Sequence, residues 1–204
     1  MIKQNIKTDR EAFLPQGYKV PTESKYMKFH VGKNQFRIMS SPIIGYEYWV
    51  DSNGNLIERG KLAGKGGKPV RKRVNEKISA DEYASSSHFW AMVVYNYEDS
   101  KFQILEIRQS GILKSLQALV KDVDWGNPKG DEGYDILITA EGEGKEREYQ
   151  VNPKPRKELP EGVADAYKFF YCDLNQLFSG GDPFKKESNP VDSKEEVFPE
   201  DIPI

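Results

Sequence analysis

Apolar and polar residues alternate along much of the chain, and this pattern predicts strands separated by turns. The predicted strands lie at 34–41, 43–50, 88–98, 101–109, 134–142 and 145–153. Pro42 divides the first pair. The run at 88–98 is almost continuously apolar, which is typical of a strand buried on both faces. Short turns join the last four strands into two hairpins.

Apolar residues spaced three and four apart predict two amphipathic helices, at 111–123 and 163–178. A shorter helix is predicted at 79–84, where Ser79 can cap its start. The glycine-rich stretch 54–77 lacks either period, and we interpret it as a long, flexible loop.

The order of these elements favours a mainly β fold: an OB-fold Greek-key barrel with one helix between strands, a long basic loop, an extra C-terminal helix and a disordered tail. A mixed α+β sandwich would show the same order. We divide the chain into an N-terminal arm (1–25), an OB-fold core (26–155), a C-terminal helical extension (156–184) and an acidic disordered tail (185–204).

Charge is distributed unevenly along the 204 residues. The net charge is −2. Residues 54–77 carry eight basic and two acidic side chains, whereas residues 187–204 carry six acidic side chains and Lys194. A strongly positive loop favours a polyanionic partner, and the negative tail could mimic or compete with that partner.

Composition limits the other possibilities. Cys172 is the single cysteine, so an intramolecular disulfide is impossible. The only histidines are His30 and His88, so the chain has too few Cys and His ligands for a zinc site, and we expect no cofactor. No Ser/His/Asp or Cys/His arrangement is visible, so we expect no catalysis. No apolar run approaches the roughly 20 residues of a membrane-spanning helix. We expect a cytoplasmic location, in a bacterium or a phage-infected cell, and no membrane partner.

Aromatic and basic side chains are the candidate DNA ligands, since bases stack on exposed aromatics and cations neutralise phosphates. We expect Tyr46 and Tyr48 to be the best exposed pair, while Trp49 and Trp90 fit core and surface equally well. Arg37 and Arg108 lie within strands, where a charge should face solvent or a ligand. The candidates are Arg37, Tyr46, Tyr48, Trp49, Arg59, Lys65, Lys68, Arg71, Lys72, Arg73, Trp90 and Arg108.

The segments NQFRIMSSPIIGYEYW, HFWAMVVYNYEDSKFQILEIRQ and DVDWGNPKGDEGYDILITAEGEGKEREYQVNP, taken in order, resemble single-stranded DNA-binding proteins of bacteriophages. The resemblance covers about residues 26–155. It implies an OB-fold, no catalysis, and a groove for single-stranded DNA used in replication, recombination or repair. The zinc-containing members carry a Cys/His cluster that this chain lacks.

The closing EDIPI is similar to the acidic tip of bacterial single-stranded DNA-binding proteins, which recruits replication and repair enzymes. The residues concerned are Asp201, Ile202, Pro203 and Ile204. The family ends in Phe where this chain has Ile204, and the smaller side chain would bury less area in a partner's pocket.

Three other interpretations stay open. An RNA-binding OB module would use the same stacking surfaces. A metal-dependent nuclease could use Asp122 and Asp124, although such residues are more often solvated at a helix end. A protein-interaction adaptor is the third. An oligomer is possible, since the helix at 163–178 could pack on the barrel or contact another subunit.

Overall fold

The computed structural model describes residues 24–58 and 66–186. Its strands are β1 (Tyr26–Met27), β2 (Gly32–Ile38), β3 (Ile43–Val50), β4 (Leu56–Ile57), β5 (Lys68–Arg73), β6 (Ser87–Asn96), β7 (Lys101–Ile107), β8 (Asp135–Glu141) and β9 (Glu148–Pro153). Its α-helices are α1 (Ala80–Ser85), α2 (Ser110–Lys121), α3 (Val163–Phe169) and α4 (Gln176–Ser179), and a 3-10 helix spans Gly144–Glu146. The mainly β class is therefore confirmed.

Strand β6 is the centre of the sheet. It pairs along one edge with β7, and along the other edge first with β3 and then with β2. Between β2 and β3 the chain bends at 39–42, where the amides of Met39 and Ser40 both donate to the Val93 carbonyl. The Ser40 hydroxyl accepts a hydrogen bond from the Val93 amide at 2.9 Å. Because of this bend, β2 and β3 pair with two successive parts of the same edge of β6.

Strands β2 and β3 pair with different outer strands. Strand β2 pairs with β8, which pairs with β9, whereas β3 pairs with β5 and β4. Strand β1 pairs with β7 in parallel, so the sheet is mixed. Within residues 24–58 and 66–186 no pairing joins the outer strands, and the sheet is open there. The OB-fold barrel therefore stays a prediction.

Helix α2 covers one face of the sheet, here called the α2 face. Its apolar stripe buries Ile112, Leu113 and Leu116, as the three-and-four spacing predicts. These side chains pack against buried residues that the β2, β6, β7 and β8 strands point to this face, among them Phe36, Met92, Leu105 and Ile136.

Residues 159–184 cover part of the opposite face, here called the C-terminal face. Val163, Leu174 and Leu177 pack there against Phe89, Val93 and other β6 and β7 residues. The approach is close at Gly45, where an added Cβ would lie 2.7 Å from the Phe178 ring. The predicted strand at 88–98 is thus confirmed as β6, buried between two layers.

The prediction of one helix over 163–178 is wrong. Helix α3 ends at Phe169 and α4 starts at Gln176. Between them the Asp173 carboxylate accepts from the Asn175 amide at 3.0 Å. The Asp173 amide donates to the Pro183 carbonyl. Asp side chains favour such local bonds over helix continuation.

The interpretation of 54–77 as a loop throughout is also wrong, because Lys68–Arg73 forms strand β5 on the free edge of β3. Charged side chains and a proline are tolerated on an edge strand, where one row of backbone groups faces outward. Among the described residues, no helix is both long and apolar enough to cross a membrane.

Candidate nucleic-acid interface

A row of aromatic side chains lies on the α2 face, beyond the part that α2 covers. The strand register places Tyr46 beside His88 and Ile44 beside Trp90. The ring centroids of Tyr46 and His88 are 5.2 Å apart, and Tyr83 from α1 meets Tyr46 edge-on at 5.6 Å. Tyr46, His88 and Trp90 are half-buried and Tyr83 is 61% exposed. These rings form the floor and one wall of a groove between α1 and α2.

Helix α1 is fixed at its start, and this fixes the wall that Tyr83 forms. Ser79 and Glu82 make a reciprocal capping box, and the Tyr48 hydroxyl donates to the Glu82 carboxylate at 2.6 Å. Burial, and secondly this bond to the carboxylate, raise the pKa of Tyr48 to about 12. Tyr48 therefore ties β3 to α1 and stays neutral at physiological pH.

The groove consists of three adjoining hollows. The first, about 320 Å³, lies between Tyr46, Tyr83 and His88. The second, about 590 Å³, shares His88 and is bounded by Trp90 and Gln117. The third, about 380 Å³, shares Trp90 and Gln117 and lies between α2, the 39–42 bend and the loop after α2. The hollows are neighbours along the groove, because each shares lining residues with the next.

His88 keeps the floor uncharged. The Trp90 indole N–H donates to His88 Nε2 at 3.2 Å, so the neutral ring carries its proton on Nδ1. Burial lowers the pKa of His88, which favours this neutral form. The ring faces of Tyr46, His88 and Trp90 are thus an apolar platform of the kind on which bases stack.

Cations border this platform. Lys72 is the cross-strand neighbour of Tyr46 and points to the same face. Helix α2 contributes Lys114 and Lys121, and the following loop contributes Lys129; all three are exposed. Positively charged lysines along an apolar groove fit a ligand that is both aromatic and anionic.

Arg71 and Arg108, which were predicted to bind phosphate, form ion pairs with carboxylates of the protein. The Arg71 Nε donates to Glu47 at 2.7 Å, and its two terminal nitrogens donate to Glu106. Arg108 donates to the same two carboxylates. Burial alone would raise the pKa of Glu47, but its bonds to the two guanidinium groups lower it. The four charges balance, which leaves little to attract a phosphate.

Arg37 does not face solvent or a ligand, and that expectation is wrong. Its side chain is fully buried, and its Nε donates to Asp135 at 2.7 Å. The terminal nitrogens donate to the carbonyls of Gly130, Asp131 and Lys157. Burial would raise the pKa of Asp135, but bonds from Tyr97, Lys157, Arg37 and Gln35 hold it below its usual value. A charged side chain within a strand can pair with an opposite charge on a neighbouring strand, and the sequence pattern does not reveal such a partner.

The expectation that Tyr48 is exposed is also wrong, since it is 5% exposed. Trp49 is half-buried and alternates with Tyr48 onto the C-terminal face. Arg73 packs over the Phe178 ring at 4.5 Å and donates to Asn175, while Lys68 is exposed at the start of β5. Of the predicted residues, the groove therefore brings together Tyr46, Lys72 and Trp90, with Arg108 at its rim. Arg59, Lys65 and the predicted partner-binding residues Asp201, Ile202, Pro203 and Ile204 lie outside the described residues.

Sequence reasoning missed Tyr83, His88, Lys114, Gln117, Lys121 and Lys129 as groove residues. The polar stripe of α2 carried a usable signal, because 114, 117 and 121 recur at helical spacing beside the buried stripe. Tyr83 gave no such signal, since only the folded position of α1 places it over β3.

Asp122 and Asp124 are both exposed after α2. One Asp122 carboxylate oxygen accepts from the amides of Asp124 and Trp125, which closes the turn. Within the described part of the chain, no three His, Cys, Asp or Glu side chains are grouped to hold a metal ion. Cys172 is half-buried among apolar residues, and burial raises the pKa of its thiol to about 11.

Comparisons with known proteins found no matching family model, no matching curated protein and no matching solved structure.

Proposed function

We propose that this protein binds single-stranded DNA without strong sequence preference, as part of replication, recombination or repair. The observation that carries the proposal is the row of Tyr83, Tyr46, His88 and Trp90 along one groove, bordered by lysines. Duplex DNA hides its base faces, whereas a single strand can lay them on such a row.

Energetics favour this assignment over a general basic surface. Stacking a base on an aromatic side chain contributes about 1–3 kcal/mol and does not depend on the base. Lys114, Lys121 and Lys129 are exposed and supply positive charge along the groove, and Lys72 adds a charge that also acts on the Glu82 carboxylate. Apolar rings and mobile ammonium groups together suit a flexible strand whose register varies.

Two finer elements belong to the same proposal. An OB-like architecture is supported by the bent β2–β3 segment, which pairs with β6 through both halves, and by α2 between two hairpins. Recruitment of replication or repair proteins by the EDIPI tip is supported by the sequence resemblance alone. Deleting residues 187–204 should abolish partner capture and leave or raise DNA affinity.

Fluorescence anisotropy of a labelled dT oligomer tests the proposal. If four lysines each neutralise one phosphate, affinity should fall about 50-fold between about 50 and about 200 mM salt, from a slope of about 0.7 per contact. A duplex of the same length is the control and should bind far more weakly. An oligo-U arm measures the preference between DNA and RNA.

Three results would count against the proposal. Affinity for dT that does not change with salt would remove the lysines from the interface. Equal affinity for duplex would remove the stacking row. Cleavage of labelled DNA in Mg²⁺ or Mn²⁺ that is lost in Asp124→Asn would replace binding by nuclease activity.

A further inference from the structure

The third hollow of the groove is lined mainly by apolar core side chains, whereas the rest of the groove is lined by aromatic rings. It is about 380 Å³ and is bounded by core side chains: Ile38, Met92 and Leu116 are each less than 10% exposed. A cavity of about 150 Å³ already holds a benzene ring, so this hollow has room for a one- or two-ring base. Its walls, Pro42 and Val120, are apolar and exposed.

The rim of this hollow is rich in hydrogen-bond donors. Asn127 accepts the Lys129 amide through Oδ1 at 3.1 Å, which leaves its NH₂ group as the available donor. The Lys129 ammonium donates to Ser41 Oγ at 3.1 Å and keeps two further protons. Gln117 and Lys121 are exposed on the adjoining turns of α2. These exposed donors are hydrated, and an acceptor on a ligand would replace water at them.

The donors discriminate between bases. Thymine, guanine and cytosine each carry an exocyclic carbonyl oxygen, whereas adenine presents a ring nitrogen acceptor beside an NH₂ donor. A donor-rich rim around an apolar hollow therefore favours a base with a carbonyl. A lysine ammonium group can only donate, and it pairs with carbonyl-bearing base edges such as guanine O6.

We propose that this hollow binds one unstacked, carbonyl-bearing base of the bound strand, read at its rim by Asn127, whose amide oxygen is already engaged, and by Lys129, which can only donate. The inference rests on the proposed function, because the strand reaches the hollow past Trp90, which lines both the second and third hollows. It adds a modest base preference at one position to binding that otherwise ignores sequence.

The test compares dT and dA oligomers on the wild-type chain and on two variants. Asn127→Leu removes the amide donor of the rim, and Val120→Trp fills the hollow from its exposed wall. Wild type should bind dT several-fold more tightly than dA. Each variant should lose dT affinity and keep dA affinity, so that the ratio approaches one. Asn152→Leu, the same change on exposed β9, should keep the wild-type ratio.

A second measurement does not depend on the strand. In NMR titrations, thymidine monophosphate should shift the side-chain NH₂ signals of Asn127 more than adenosine monophosphate does, while those of Asn152 stay fixed. If dT and dA bind equally and the variants change nothing, this inference fails and the proposed function stands. If neither oligomer binds, both fail.

Discussion

The two faces of the sheet use charge in opposite ways. On the C-terminal face, Arg71 and Arg108 are bound to Glu47 and Glu106 above the Phe89 ring. On the α2 face, Lys114 and Lys121 line hollows beside Trp90, and neither forms an ion pair within the described part of the chain. The first arrangement is electrically balanced and closed. The second leaves positive charge and apolar surface available.

The number of basic residues in a segment therefore does not show where an anion binds. A guanidinium presents a planar fork that fits carboxylates in two-point bonds, so arginines are readily used inside a fold. Lysine ammonium groups are strongly hydrated and stay outside it. In this chain the strand arginines Arg37 and Arg71 are paired within the fold, and the lysines on α2 stay exposed.

Breaking the interior arginine should have the largest effect. Arg37→Met removes the buried cation of Asp135 and leaves Lys157 as its remaining ion-pair partner. Removal of one partner of a buried pair costs about 3–5 kcal/mol. Urea unfolding should show this loss. Arg73→Met is the matched control: that side chain is 42% exposed and its loss should cost no more than about 1 kcal/mol. Equal losses would contradict the division between interior and surface arginines.

Acid should separate the two faces next. The pKa values of Glu47 and Asp135 are lowered in the folded protein, so their stabilisation is complete above the unfolded carboxyl values and is lost as pH falls through the folded ones. Unfolding free energy should therefore drop below about pH 4. Chemical denaturation at neutral and acid pH measures it, and Glu47→Gln should flatten part of the drop. A pH-independent free energy would show that these carboxylates are unpaired.

Charge removal on the open face should weaken DNA binding without unfolding. Lys114→Gln/Lys121→Gln should lower dT affinity about tenfold at about 200 mM salt and reduce the salt slope by about 1.4. Lys33→Gln, an exposed lysine on β2 outside the groove, should change neither value. The same loss in both variants would mean that any surface lysine contributes equally.

His88 should give the smallest effect. Because its pKa is lowered by burial, the neutral ring is stable above the unfolded value of about 6.5, and protonation at lower pH must displace the Trp90 indole from Nε2. The fluorescence of Trp90 should therefore stay constant at the usual histidine value of about 6.5 and change only at lower pH. His88→Phe should abolish that change and keep the stacking surface. An unchanged titration in His88→Phe would assign the signal to another group.

Much of the fold follows from periodicity alone. The hairpins 87–107 and 135–153 and helix α2 were predicted within a few residues, because each carries a clear apolar period. Strand β5 was missed since its pairing comes from the free edge of β3 and not from its own composition. The break between α3 and α4 was missed because Asp173 forms tertiary and local bonds that the apolar stripe does not record.

The site was less predictable for the same reason. Tyr46 and Trp90 were named as candidates, but nothing in the sequence separates Tyr46 from the buried Tyr48 two residues later on the same face. The difference is set by α1, which covers Tyr48 and bonds its hydroxyl. Arg37 and Arg71 find their carboxylates on strands about 100 and 24 residues away in sequence, and such partners follow from the fold.

The most direct test compares the two tryptophans of β3 and β6. In a dT titration followed by anisotropy, Trp90→Leu should lose about 1–3 kcal/mol of binding, roughly five- to 150-fold, because one stacking ring is removed. Trp49→Leu, the same change on the C-terminal face, should bind as wild type does. If Trp49→Leu loses affinity and Trp90→Leu does not, the groove between α1 and α2 is not the DNA site.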